Sequence, residues 1–193
     1  MHKLFVSDGV ILSKRAAGEA NALVSILTKE LGIVRAHARS ARAEKSKLRY
    51  ALEPLTCARF TLVRGKHEWK LVGAENALHM FSSAPAPRRA AAGRIIKLLS
   101  RLVHGEERVP ALHALLVEGF SYLARAVDDA DAESMECVIV LRILAHLGYL
   151  PNTRELQPFI EADFFSMELA AQAARSRTLL IRTINESLGM TGL

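Results

Sequence analysis

Residues 35–49 hold Arg35, Arg39, Arg42, Lys45, Lys47 and Arg49 against a single acid, Glu44. Cations at that density have no local counterions, and they are the expected footprint of a polyanion-binding surface. Val34, Ala36 and Ala38 alternate with Arg35, His37 and Arg39. A strand there would carry small apolar side chains on one face and cations on the other, with His37 adding a donor. Arg64 and Lys66, in the turn signal Arg64-Gly65-Lys66-His67, extend the surface. The expected nucleic-acid-binding set is therefore Arg35, His37, Arg39, Arg42, Lys45, Lys47, Arg49, Arg64 and Lys66. Binders of single strands also need stacking platforms, for which Tyr50 and Trp69 are the candidates. Trp69 reads better as core, because Glu68 and Lys70 point the other way. A solvated basic loop is the bland alternative. Charge alone does not choose among DNA, RNA and anionic lipid.

Catalysis has no comparable constellation. None of the seven histidines lies in HExxH, and GxSxG, GxxxxGK[ST] and GxGxxG are all missing. His67 falls in a turn, His104 and His113 near helix ends, and His146 on an apolar helix, where it reads as a core histidine. Arg142, on the same helix, calls for a structural ion pair. Asp128-Asp129-Ala130-Asp131 lacks the glycine turn and following glutamate of a calcium loop and reads as an acidic helix start. Cys57 and Cys137 stand far apart with no CxxC, so a zinc site and a disulfide framework are both unsupported. Neither an enzyme nor a cofactor is expected.

These residues need elements to position them. The chain has 193 residues, half of them apolar and 24% charged, which is an ordinary globular composition. Its net charge of +6 is uneven. Residues 1–80 hold 14 Lys/Arg and 7 Asp/Glu, whereas residues 81–193 hold 12 and 13. Before residue 80 the apolar period is mostly two, and strands are expected at Val6–Leu12, Ala22–Thr28, Val34–Arg39, Arg59–Arg64 and Trp69–Val72. One long connection, Ser40–Glu53, follows the third strand and carries most of the basic cluster. Five strands with that spacing fit a small OB-type barrel, with an SH3-like barrel close behind.

Ser82-Ser83-Ala84-Pro85-Ala86-Pro87 then reads as a linker. Beyond it, Ile95, Leu98, Leu99 and Leu102 share a helical face, as do Leu112, Leu116, Phe120, Leu123 and Val127. Asp131 is the expected N-cap, and Glu133 a first-turn acid, of a central buried helix, Met135–Leu147, ended by Gly148 and Pro151. A further helix is expected at Phe165–Ala174, with a continuation to Leu188. The expected fold class is α+β: a five-stranded OB-fold β-barrel over residues 1–80, a linker at 81–87 and an α-helical domain over 88–193. No apolar run suits a membrane span, and the N-terminus lacks a signal peptide's pattern, so a cytoplasmic protein is expected.

The order of these pieces resembles a known family. Gly9-Val10-Ile11-Leu12-Ser13-Lys14-Arg15, Gly18-Glu19-Ala20 and Leu27-Thr28-Lys29-Glu30-Leu31-Gly32 resemble the start of the bacterial recombination mediator family RecO. Val34 to Arg42 is similar to its third strand and basic exit, and Lys45–Leu48 with Ala51–Thr56 to the connection that follows. Leu141-Arg142-Ile143-Leu144 and Leu147-Gly148-Tyr149-Leu150-Pro151 are similar to its central helix and that helix's end. The resemblance implies binding of single- and double-stranded DNA, annealing of complementary strands and help in loading RecA onto coated strands. The implied partners are RecR, the C-terminal tail of single-stranded-DNA-binding protein and, indirectly, RecA. It also implies a bacterial, nucleoid-associated location. Arg35 and Arg39 map onto the implied DNA surface. Many members place a four-cysteine zinc module after the Gly-Tyr-x-Pro segment, but Asn152 to Phe165 holds no cysteine, so a short member without zinc is expected. Two other readings stay open: an RNA-binding OB module, and a structural adaptor acting through its helical half.

Overall fold

The structure is a computed structural model that describes residues 3–66, 68–151 and 153–190. His67 and Asn152, which entered the sequence reading, lie outside the described residues. The chain divides into two compact units. One holds the residues up to Ser82 together with Leu102–Ala114, and the other holds Ser83–Arg101 with the chain from Leu115 onward.

In the first unit five strands, β1 (Leu4–Ala17), β2 (Asn21–Thr28), β3 (Gly32–Ala38), β4 (Cys57–Arg64) and β5 (Trp69–Leu78), close a barrel in the order β1-β2-β3-β5-β4. All pairings are antiparallel except β3 with β5. This is the OB-type order that the strand count and the long third connection predict. The period-two pattern does the sorting. Val24, Ile26, Val34, Ala36, Phe60, Leu62 and Leu71 turn inward and are almost wholly buried. Ala22, Ala36 and Ala38 keep the interior narrow around the larger Phe60 and Trp69.

Two strands outrun their sequence signals. β1 covers 14 residues because it serves two partners, β4 along its first half and β2 along its second. A bulge between Ile11 and Ser13 turns it from one to the other and breaks the alternation that sequence reading relies on. β5 runs on past Val72 to Leu78, through two shifts of register against β4.

The connection after β3 folds back onto the barrel. It carries a four-residue helix, α1 (Leu48–Ala51), and its Ala41 and Leu52 are wholly buried in the barrel core. Lys14 anchors it, donating from Nζ to the carbonyl of Arg49 at 2.8 Å and to Glu53 at 2.7 Å. The segment Leu102–Ala114 also belongs to this unit. The Gly105 carbonyl accepts a hydrogen bond from the amide of Ile33, at the part of β3 that β5 does not reach. Arg108 pairs with Glu30.

The second unit is helical. Its elements are α2 (Ala86–Leu102) up to Arg101, α3 (Pro110–Arg125) from Leu115, α4 (Asp129–His146), α5 (Gln157–Ile160), α6 (Met167–Arg175) and α7 (Arg177–Met190). α2 begins inside the stretch that reads as linker, since proline is tolerated in a helix's first turn. α5, α6 and α7 all pack on α4, which is the central helix expected from its apolar run. At Gly119 of α3 an added Cβ would come within 2.8 Å of Ile139, so the two helices meet at van der Waals distance there. Among the described residues no helix is long and apolar enough to cross a membrane.

Four local expectations are corrected. The cap of α4 is Asp128, whose Oδ1 accepts from the Asp131 amide at 2.8 Å. Asp131 sits in the first turn, accepting from the Tyr122 hydroxyl at 2.9 Å and the Val127 amide at 3.1 Å. Val127 is exposed, because α3 ends two residues before it and the helical stripe stops with the helix. His146 is exposed in the last turn of α4, beyond the reach of the helices packed along that helix. The last helical region is two helices, broken at Ser176.

Arg142 is buried as expected, yet it makes no ion pair among the described residues. Its Nε and Nη2 each donate a 2.7 Å hydrogen bond, to the carbonyls of Phe159 and Ala162. The guanidinium lies 4.5 Å from the centroid of the Phe165 ring. Carbonyl dipoles and a π face thus take the place of a carboxylate.

Candidate nucleic-acid interface

The outer face of β3 follows from its alternation. Val34, Ala36 and Ala38 fill the barrel, so Arg35 and His37 must point out, with Arg39 exposed just past the strand. Strand pairing widens this single-strand pattern into rows. Arg15 of β1 stands opposite Leu23 of β2, Leu23 opposite His37, and His37 opposite Lys70 of β5. The neighbouring row is Ser13, Ser25 and Arg35. Arg15, Arg35 and Lys70 are all exposed, and His37 is half-buried. Arg15 and Lys70 therefore join the face that holds Arg35, His37 and Arg39, although sequence reasoning missed both. No spacing within one strand reveals them, because only the closed barrel sets their cross-strand neighbours.

The remaining cations fall into two groups. Ser40, at φ 51°, turns the chain out of β3, and its amide donates to Asn21 Oδ1 at 2.9 Å. Arg42 follows, its amide bonded to the Ala20 carbonyl at 2.8 Å and its Nη1 to that of Gly18 at 3.0 Å. The connection is thereby held against the β1–β2 turn, at the end of the barrel where Arg15 and Arg39 lie. Lys45 and Lys47 are exposed on it, and neither has an ion-pair partner among the described residues. Arg49 lies over the ring of Tyr50, 5.8 Å from its centroid, and Tyr50 is 68% exposed.

At the β4–β5 turn the cations are partly occupied. Arg64 Nη2 is 3.3 Å from Glu106, and its guanidinium lies 5.3 Å from the Trp69 ring centroid. Lys66 is exposed. Glu68 reaches His37 at 3.2 Å and ties this turn to the β3 face. Trp69 itself is 5% exposed, edge-on to Phe5 and part of the core, so it offers no stacking surface. Tyr50 does.

The surface is thus a β-sheet face and a tethered loop, rich in guanidinium and ammonium groups. Groups of this kind can neutralise a regularly charged polymer.

Residues 1–75 match the family model described as Recombination protein O N terminal, and residues 87–155 match Recombination protein O C terminal. The chain belongs to the RecO family. Among curated relatives, DNA repair protein RecO of Heliobacterium modesticaldum is 31% identical over 155 residues, covering 78% of this chain and 54% of that one. DNA repair protein RecO of Thermobifida fusca is 29% identical over 155 residues, covering 79% and 63%. That of Pelotomaculum thermopropionicum is 28% identical over 150 residues, covering 77% and 57%. The chain therefore spans a little over half the length of these relatives. In this RecO family member the OB-type barrel carries the cationic face. The stretch after Pro151 is gathered by Arg142 through the backbone carbonyls of Phe159 and Ala162.

Proposed function

We propose that this RecO family member is a DNA-binding recombination mediator in DNA repair that binds without sequence specificity and acts by binding, not catalysis. Its barrel face takes single and double strands, anneals complementary strands and helps RecA load onto coated DNA. The observation that carries this reading is the row geometry. Arg15, Arg35, Arg39 and Lys70 share one outer barrel face beside the cation-bearing loop of Arg42, Lys45, Lys47 and Arg49. Two complementary strands repel each other, and a cationic surface that holds both screens the repulsion and raises their local concentration. Such contacts read backbone and stacked faces, so no sequence preference is expected.

The partners expected of the family belong to the same proposal: RecR, RecA indirectly, and the tail of single-stranded-DNA-binding protein. The helical unit offers a place for such an acidic, apolar tail. A groove of about 500 Å³ is lined by Tyr122, Val127, Phe164, Phe165 and Met167 for its apolar side chains, with Arg125 and the carboxylates Glu118 and Asp131 also in its lining. Val127, Phe164 and Met167 are 71%, 77% and 61% exposed, an apolar patch of the kind that marks a docking surface. A cytoplasmic site of action at the nucleoid completes the reading.

Fluorescence anisotropy of a labelled single strand across a salt series tests it. About five phosphate contacts give a log–log slope near −3.5, or roughly a hundredfold loss from 50 to 200 mM salt. Arg35→Glu/Arg39→Glu/Arg42→Glu should abolish that binding while leaving the circular dichroism spectrum unchanged. Undiminished binding by the triple variant would remove the barrel face from the mechanism. Preference for RNA over an equal-length DNA strand would favour an RNA-binding module instead.

A further inference from the structure

The near-neutral charge of residues 81–193 conceals a segregation. α2 alone holds Arg88, Arg89, Arg94, Lys97 and Arg101 and has no carboxylate, while the rest of that stretch holds seven cations and thirteen carboxylates. At 100° per residue, Ala91, Ala92, Ile95, Ile96 and Leu99 form the buried face of α2. Ala86, Ala90, Gly93, Lys97 and Arg101 form the opposite one, and all five are exposed.

Not every α2 cation is free. Arg88 turns inward, 3.7 Å from Asp129. Arg94 grips Glu136 with two hydrogen bonds of 2.7 and 2.6 Å. Arg89 donates to the Ala84 carbonyl. Lys97 and Arg101 have no carboxylate partner among the described residues. They sit at i and i+4, where like charges destabilise a helix and a glutamate in place of either would stabilise it. Nothing stands within 4 Å of a Cβ added at Gly93, so the backbone is bare beside them. The outcome is a pair of unpartnered cations one helical turn, about 6 Å, apart on a face free of carboxylates, the scale of neighbouring phosphates on one strand.

We infer that the exposed face of α2, centred on Lys97 and Arg101, is a second DNA-backbone site that holds the second strand during pairing. The inference rests on the DNA-binding reading of the barrel and extends it to the helical unit. On the barrel face alone two strands compete for the same cations; a second site on the same chain raises the local concentration of the partner strand and speeds their pairing.

The test compares the full chain, the barrel triple variant and Lys97→Glu/Arg101→Glu. Labelled complementary oligonucleotides report annealing, and a titration at high protein concentration reports strands bound per chain. The α2 variant should bind one short strand within about twofold of wild type but anneal about tenfold more slowly, with stoichiometry falling from two strands to one. Its salt slope for a strand long enough to fill both sites should become less negative by about 1.4, two contacts' worth. Lys97→Gln/Arg101→Gln should show a smaller loss in the same direction, which a folding defect would not grade by charge. Wild-type annealing and stoichiometry in the α2 variants would overturn the inference while leaving the barrel reading intact. Failure of the wild-type chain to bind DNA would overturn both.

Discussion

The indole Nε1 of Trp69 donates a 2.8 Å hydrogen bond to Glu106, 37 residues away, and the other oxygen of that carboxylate lies 3.3 Å from Arg64. Trp69 is a core residue of the barrel, yet its one polar atom is satisfied by a segment outside the five strands. A buried indole N–H without a partner costs about 1–3 kcal/mol, so the segment Leu102–Ala114 contributes to barrel stability.

Glu106→Ala should therefore destabilise the barrel by about 1–3 kcal/mol, whereas Glu106→Gln, which keeps an acceptor, should lose less than half of that. Trp69 is the only tryptophan, so its fluorescence reports the event directly. Urea melts followed at that wavelength would show it. Equal losses in the two variants would mean that charge, not the hydrogen bond, holds the segment.

Gly32 opens β3 with φ +67°, and an added Cβ would overlap the backbone of Glu107, coming within 2.8 Å of its amide nitrogen. Gly18 has φ +80° but nothing within 4 Å. Gly18→Ala should then cost about 1 kcal/mol, for left-handed backbone alone. Gly32→Ala adds the clash and should cost about 2–4 kcal/mol. Thermal melts of the two single variants give the comparison, and similar losses would refute the tight docking of Glu107 on the β2–β3 turn.

Arg142 offers a third test. Its two hydrogen bonds to the Phe159 and Ala162 carbonyls are charge-assisted and lie in a buried setting. Arg142→Met keeps the aliphatic bulk but orphans both carbonyls, with an expected loss of about 3 kcal/mol. Arg142→Lys should recover little, since an ammonium lacks the planar fork that reaches two acceptors. Hydrogen exchange localises the effect. Faster exchange confined to residues 153–165 is expected, and unchanged protection there would show that the segment holds itself.

The strands, the helices and the basic cluster were legible because each depends on residues close in sequence. Alternation of Val34, Ala36 and Ala38 with cations settles which face of β3 is wet whatever it pairs with. The apolar run of α4 likewise announces a buried helix. Limits were harder to read. Bulged β1 lost its alternation at Ile11–Ser13, and α4 chose Asp128 over Asp131 as its cap because Asp131 was engaged by Tyr122. Any of the three aspartates satisfies the local capping chemistry.

From the sequence alone came the class of the fold, the cationic outer face of β3 and the basic loop that follows it, since side-chain period and charge are properties of short segments. Tertiary structure decided which side chains stand beside them. The parallel pairing of β3 with β5 placed Lys70 next to His37, and the β1–β2 hairpin brought Arg15 into the same row. Folding also took Trp69 out of any stacking role by giving its N–H to Glu106, and gave Arg142 two carbonyls in place of a carboxylate. Each of these depends on which distant residues the closed barrel and the packed helices bring within hydrogen-bonding reach, and spacing along the chain carries no record of that.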